Sequence, residues 1–312
     1  MLAAILALSA ASATQGAPSL PDITVQGSGI YPESLTSSAD GSVFVGSLGG
    51  IIYRAAPGSR TAEPWIRHSS DNGLLSVFGL LADDRTRTLW VCTAPAALPG
   101  GIPNGATAVL RFDLKTGALK DTHPLPQPHG VCDDIALARD GTAFIIDIVS
   151  GEIYRLDAHS STLQLYAKDA ALKGVDGIAF GDDGTLYIDN ITHNQLTRVE
   201  RDAQGHFVGL TQLTTSQALA GPDGLRHIAG NRFLLAEGRA GRIDEVTITG
   251  DQATIRVLAS GLNSPTSVTR IGDTVYAPEG KVQYLMDPKL RGQSPDPFIV
   301  RAISLKDSAE HP

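Results

Sequence analysis

The chain lacks several features that mark common protein classes. It has 2 cysteines in 312 residues, too few for the disulfide framework of a small secreted scaffold, and their spacing matches no zinc motif. Cys92 and Cys132 are each expected to pack as small buried apolar residues, with a disulfide between them as the alternative. No run of Lys and Arg occurs, and the formal net charge is −8, so neither nucleic acid nor an anionic membrane is expected as a partner. No GxSxG elbow is present, which argues against a serine nucleophile of the hydrolase type. No stretch keeps a helical apolar period either, so helix should be scarce.

Glycine and proline are plentiful instead, at 33 and 18 residues, as a fold built from many tight turns requires. A segment recurs six times in which an apolar strand, a turn and a second strand follow a residue that is usually acidic. The copies read PESLTSSADGSVFVGS from Pro32, VFGLLADDRTRTLWVC from Val77, CDDIALARDGTAFIID from Cys132, VDGIAFGDDGTLYID from Val175, PDGLRHIAGNRFLLAE from Pro222 and PTSVTRIGDTVYAPE from Pro265. Aligning the turns places Glu33, Phe78, Asp133, Asp176, Asp223 and Thr266 in one column, at spacings of 45, 55, 43, 47 and 43 residues. This period is that of one four-stranded propeller blade. The expected fold is an all-β, six-bladed propeller of four-stranded blades. The strand DITV from Asp22 and the strand FIVRAISL from Phe298 are expected to share the sixth sheet and close the ring. One domain over 21–312 accommodates the repeats, with 1–20 outside it.

In a propeller, equivalent positions of the first strands surround a central channel. Glu33, Asp133, Asp176 and Asp223 would therefore converge, and like charges sharing a site raise one another's pKa values unless a cation compensates. The column holds no His or Cys, so an oxygen-only divalent site is expected: Ca²⁺ first, then Mg²⁺ or Mn²⁺, with Zn²⁺ the poorest match. Asp also suits turns on its own account. Strand alternation lets only one of Asp133 and Asp134 face the channel, and the sequence leaves open which. The ends of the second strands (Ser47, Thr93, Asp147, Asp189 or Asn190, Glu237 and Glu279) are expected to rim the same mouth. Of the remaining polar residues, Asn190, His193 and His129 are the candidates for substrate contacts, and the long loop from Pro95 to Thr107 is a candidate lid.

The motifs PES at 32–34, CDDIAL at 132–137, VDGIAF at 175–180 and PDGL at 222–225 resemble the SMP-30/gluconolactonase family, which includes luciferin-regenerating-type proteins. More distantly they are similar to the paraoxonases and the squid-type phosphotriesterase. The resemblance covers nearly all of the chain after about residue 20. It implies that Glu33, Asp176 and Asp223 hold one divalent metal, that Asp223 is the general base, and that Asp133 supports metal or substrate. The chain departs from the family where Asp133 and Asp176 stand in place of the usual Asn, adding up to two negative charges around the ion.

The function so implied is metal-dependent hydrolysis of a lactone or related ester, with a small-molecule substrate and a monomeric enzyme. Two alternatives use the same scaffold: a phosphotriester hydrolase with the same ion, and a non-catalytic NHL-like binding module. The N-terminus, LAAILALSAASATQGA after Met1, resembles a secretory signal with small residues from Ala10 to Ser12 and is too short to span a membrane. Residues 1–20 are thus expected to direct export to a bacterial periplasm or the medium, with the cytoplasm as the alternative. No Lys or Arg precedes the apolar run.

Overall fold

The computed structural model describes residues 20–305 except 128, 291 and 294. The signal-like segment lies almost wholly outside the described residues. Within them the fold is all-β, with helix confined to a 3-10 turn at Ala170–Leu172 and one α-turn at Gln283–Met286.

Each repeat forms an antiparallel meander whose first strand we call the lead strand. The second repeat runs Ser76–Asp83, Thr88–Ala94, Ala108–Asp113 and Leu119–Pro124, the third Cys132–Leu137, Ala143–Asp147, Glu152–Leu156 and Gln164–Lys168, and the fourth Val175–Phe180, Leu186–Asn190, Gln195–Arg201 and Phe207–Gln212. In the fifth, Pro222–Ala229, Arg232–Glu237, Arg242–Thr249 and Gln252–Ser260 gain a two-residue edge strand, Thr214–Thr215. The alternation of apolar and polar residues along these strands buries one set between consecutive sheets. Phe44 and Ile52 pack on Leu80 and Leu110, for example, and Tyr187 on Phe233.

The first and last repeats depart from separate four-stranded sheets. Ile23–Val25 pairs antiparallel with Phe298–Ser304, as expected, but also pairs in parallel with Thr61–Arg67 of the first repeat. The result is one eight-stranded sheet from Pro32–Ser37 to Thr269–Ile271. The cause lies in the backbone: Thr24 N donates to Arg60 O at 2.9 Å and Gln26 N to Ala62 O at 3.0 Å, so the open edge of the short strand is satisfied rather than exposed.

The lead strands stand side by side. The first lies against the second, the second against the third, the third against the fourth and the fourth against the fifth. Gly224 N donates to Thr266 O at 3.1 Å, and Thr266 Oγ1 donates to Pro32 O at 3.2 Å, tying the sixth repeat to its two neighbours. This approach needs glycine after the column residue. A Cβ on Gly79 would lie 2.2 Å from the Asp133 carbonyl oxygen, one on Gly177 2.5 Å from that of Asp223, and one on Gly224 2.8 Å from Ser267 Cα.

Each of the first five lead strands also carries a bulge at the column. Pairing slips between Pro32 and Ser34, Val77 and Gly79, Cys132 and Ile135, Val175 and Ile178, and Pro222 and Leu225. A bulge inserts one residue against the partner strand and re-aims its side chain.

The two cysteines follow the alternative reading rather than separate apolar packing. Cys92 and Cys132 form a disulfide with Cα atoms 5.1 Å apart, and both are fully buried. They lie 40 residues apart, Cys92 on the second strand of the second repeat and Cys132 at the start of the third lead strand, so the bond joins two adjacent sheets. Closing a loop of this length restricts the unfolded chain. We expect Cys92→Ala combined with Cys132→Ala to lower stability by about 4 kcal/mol, measured by denaturant titration with and without reductant. Unfolding that is insensitive to both would show that the bond contributes nothing.

Candidate active site

The bulged lead strands bring the four acidic column residues into one channel. Asp133, Asp176 and Asp223 are each 8% exposed, and Glu33 is nearly as enclosed, its Oε2 buried with no hydrogen-bond partner. Asp176 sits between its neighbours, hydrogen-bonded to both Asp133 and Asp223. Glu33 faces Asp176 and feels its charge. Phe78 and Thr266, the other two column positions, bring no charge, and Thr266 is spent on Pro32.

Burial and mutual repulsion govern the ionisation of the group. Burial, then the Asp176 charge, pushes Glu33 up to about 8. Burial pushes Asp176 up to about 7, against the hydrogen bonds from Asp223 and Asp133 that favour its ionised form. Asp133 and Asp223 are raised well above the ordinary carboxylate range, again by burial first and the Asp176 charge second.

Two further acids belong to the cluster. Asp189, at the end of the second strand of the fourth repeat, accepts from Gly177 N at 3.1 Å, while its Oδ2 is buried without a partner. Burial and the neighbouring Asp176 raise its pKa strongly. Asp134 also reaches the channel, so the bulge overturns the alternation that would have sent it to the opposite face from Asp133. It accepts two hydrogen bonds from Arg226, at 2.6 and 2.8 Å, and one from Ile178 N at 3.2 Å. The Arg226 guanidinium spans the channel, donating to Leu80 O at 3.3 Å and to Leu225 O at 2.8 Å. Strand alternation alone puts Arg226, three residues after Asp223, on the other face; the bulge restores it to the channel.

The expected rim of second-strand ends serves a different purpose. Thr93 Oγ1 accepts from Leu75 N at 2.8 Å, Asp147 Oδ1 from Val131 N at 3.0 Å, Glu237 from Ala220 N, and Glu279 from Asn263 N at 3.1 Å. These side chains fasten the segment that enters each lead strand. Asn190 does the same: its amide donates to Ala171 O and Lys173 O and accepts from Thr192 N and His193 N. All four of its hydrogen-bonding positions are filled, which leaves none for a substrate. His193 and His129 lie in turns and are exposed. The loop from Pro95 to Thr107 lies over the mouth of the first and second repeats, held by Ile102 N to Ser76 Oγ at 2.9 Å and abutting Gly50.

Among the described residues no group of three or more His, Cys, Asp or Glu side chains is arranged as it stands to hold a metal ion. The donor chemistry nevertheless suits a hard divalent cation: every donor is a carboxylate oxygen, and Glu33 Oε2 and Asp189 Oδ2 are buried without hydrogen-bond partners.

No protein-family model and no curated protein matches the chain. Solved structures do. The fold is similar to a luciferin-regenerating enzyme (14% identity, TM-score 0.63, covering 91% of this chain and 94% of that one) and to a candidate gluconolactonase (16%, 0.60, 91% and 92%). It is likewise similar to virginiamycin B lyase from Staphylococcus aureus, solved as an inactive variant with quinupristin (18%, 0.59, 90% and 82%). At these identities the likeness establishes a shared propeller-type fold. The resemblance read from the sequence motifs thus extends to the structure of the luciferin-regenerating and gluconolactonase-like proteins.

Two outcomes test this account of the channel. Arg226→Met leaves Asp134 buried and unpaired, and should cost about 3–5 kcal/mol; a loss under about 1 kcal/mol would mean the pair is solvated. The raised carboxyls bind protons more readily in the folded chain than in the unfolded one. In chelator, stability should therefore fall as pH rises from the ordinary carboxylate range toward about 8. A melting temperature that climbs across that window would contradict it.

Proposed function

We propose that the chain is a six-bladed propeller, closed between its first and last repeats, that hydrolyses lactones or related esters with one divalent cation held by Glu33, Asp133, Asp176 and Asp223. The observation that carries this reading is the convergence of buried, coupled carboxylates from four different repeats on one channel. A structural role alone seldom assembles such a cluster, because each buried charge costs free energy, whereas perturbed acids gathered in a channel are typical of functional sites.

A bound divalent ion, Ca²⁺ by donor type, would supply the positive charge that an ester carbonyl needs as it becomes tetrahedral. The protein's own contribution is protonic and steric. Asp223 acts as general base, taking a proton from the attacking water. Asp133 and Asp176 orient the reacting groups through hydrogen bonds. The Pro95–Thr107 loop and the turn of the first repeat wall the mouth. His129 and His193, in exposed turns, are candidates for contacts with the outer part of a substrate. Asn190 positions the loop that presents His193.

The Cys92–Cys132 disulfide favours an oxidising compartment, which agrees with export to a periplasm or the medium by the N-terminal segment. Among the described residues no helix is long and apolar enough to cross a membrane. A small-molecule substrate and a monomer complete the reading.

Metal analysis of purified protein should find about one divalent ion per chain, and added Ca²⁺ should raise the melting temperature. Against a panel of lactones, Asp223→Asn should retain metal but lose about 100- to 10,000-fold in kcat, while Glu33→Ala should lose metal and activity together. Turnover of phosphotriesters in place of lactones would move the assignment to that chemistry. An absence of both metal uptake and turnover would leave a binding module.

A further inference from the structure

The channel has a second end. Beyond Arg226, toward the C-terminal ends of the lead strands, two cavities of about 370 and 320 Å³ adjoin, sharing Leu81, Ala82, Arg226 and His227 as walls. Each is of the size that encloses a small organic molecule. The larger has no carboxylate in its wall, although the chain as a whole carries a net charge of −8. In place of acids it gathers Arg226, Arg270 and the hydroxyls of Ser37 and Thr269.

The two guanidiniums differ in how far their charge is spent. Arg226 is paired with Asp134, which lies toward the acidic end, and its Nε is buried without a partner. Arg270 uses Nε on Gly272 O at 2.6 Å, and among the described residues it forms no ion pair. It is half-buried on the cavity wall, where a cation gains more from an anionic partner than it would in open solvent. Ser37 and Thr269 share a 2.8 Å hydrogen bond, and Ser37 Oγ reaches Arg270 O at 3.3 Å, so these groups form one connected polar wall. Leu81 and Ile228, both partly exposed, also line the cavity.

We propose that this cavity is a binding site for a small organic anion, a carboxylate carried on an apolar body, with Arg270 as its main electrostatic contact and Leu81 and Ile228 receiving the body. The site lies at the opposite end of the channel from the carboxylate cluster and does not depend on the catalytic reading. The pairing of a charge-assisted contact with an apolar wall is what separates such a ligand from inorganic phosphate.

Benzoate serves as the probe, titrated calorimetrically into the intact protein, with benzamide and inorganic phosphate as comparisons. Saturable binding of one benzoate per chain is expected, weakened by added NaCl and by at least about tenfold in Arg270→Gln. Asp223→Asn should leave it unchanged. Benzamide and phosphate should each bind more weakly than benzoate. The salt dependence and the benzamide comparison use unaltered protein, so they decide the matter even where Arg270→Gln fails to fold. Equal binding of benzamide and benzoate, tighter binding of phosphate than benzoate, no benzoate binding up to its solubility, or binding lost in Asp223→Asn but kept in Arg270→Gln would each overturn the proposal.

Discussion

Five carboxyls at the acidic end of the channel, with Asp134 behind them, crowd a space that, among the described residues, the guanidinium of Arg226 enters. Removing a carboxylate from water costs several kcal/mol even after relaxation, and neighbours of like sign add to that cost. The structure answers in two ways. Arg226 supplies a fixed positive charge bound to Asp134 by two short hydrogen bonds, and the remaining carboxyls shift toward their protonated forms, Asp176 acting as acceptor for Asp133 and Asp223. Protons, a guanidinium and an added cation are alternative answers to the same electrostatic problem.

The same requirement reaches into the strands. A flat lead strand would alternate its side chains and send every second residue away from the channel. The bulge in each of the first five adds one residue, and this places Asp133 beside Asp134 and Asp223 in register with Arg226. The second-strand ends then hold these segments in place: Thr93, Asp147, Asn190, Glu237 and Glu279 each bond the backbone just before the lead strand of their own repeat. The disulfide joins this scaffold at Cys132, the residue preceding Asp133, so one covalent link between sheets sits directly beside the cluster.

The acidic column was legible in the sequence because repetition reveals equivalent positions without any need for the local geometry. The four-stranded period and the pairing of Ile23–Val25 with Phe298–Ser304 were legible for the same reason. Arg226 was not, because period-two alternation assigns it to the wrong face and a bulge leaves no mark in residue type. Asn190 read as a free polar group for the opposite reason: its partners are backbone atoms of the loop before its own lead strand, and backbone atoms are the same whatever the sequence. The pairing of Cys92 with Cys132 was not legible because they occupy non-equivalent strands of two repeats, so the repeat alignment does not set them opposite each other. The parallel contact with Thr61–Arg67 depends on where an unpaired strand edge comes to rest, which composition does not specify.

The glycines that follow Phe78, Asp176 and Asp223 set the bore of the channel at the level of the acids. At Gly79, Gly177 and Gly224 the neighbouring backbones approach to distances that no Cβ tolerates, so a single hydrogen atom serves as the spacer between one lead strand and the next. A methyl group at any of these positions would act as a wedge and move whole repeats apart, carrying Asp176 and Asp223 with them. The distance between the acids is thereby gauged by the thinnest side chain available, and the radius of any ion that fits among them is written in backbone contact rather than in the carboxylates themselves.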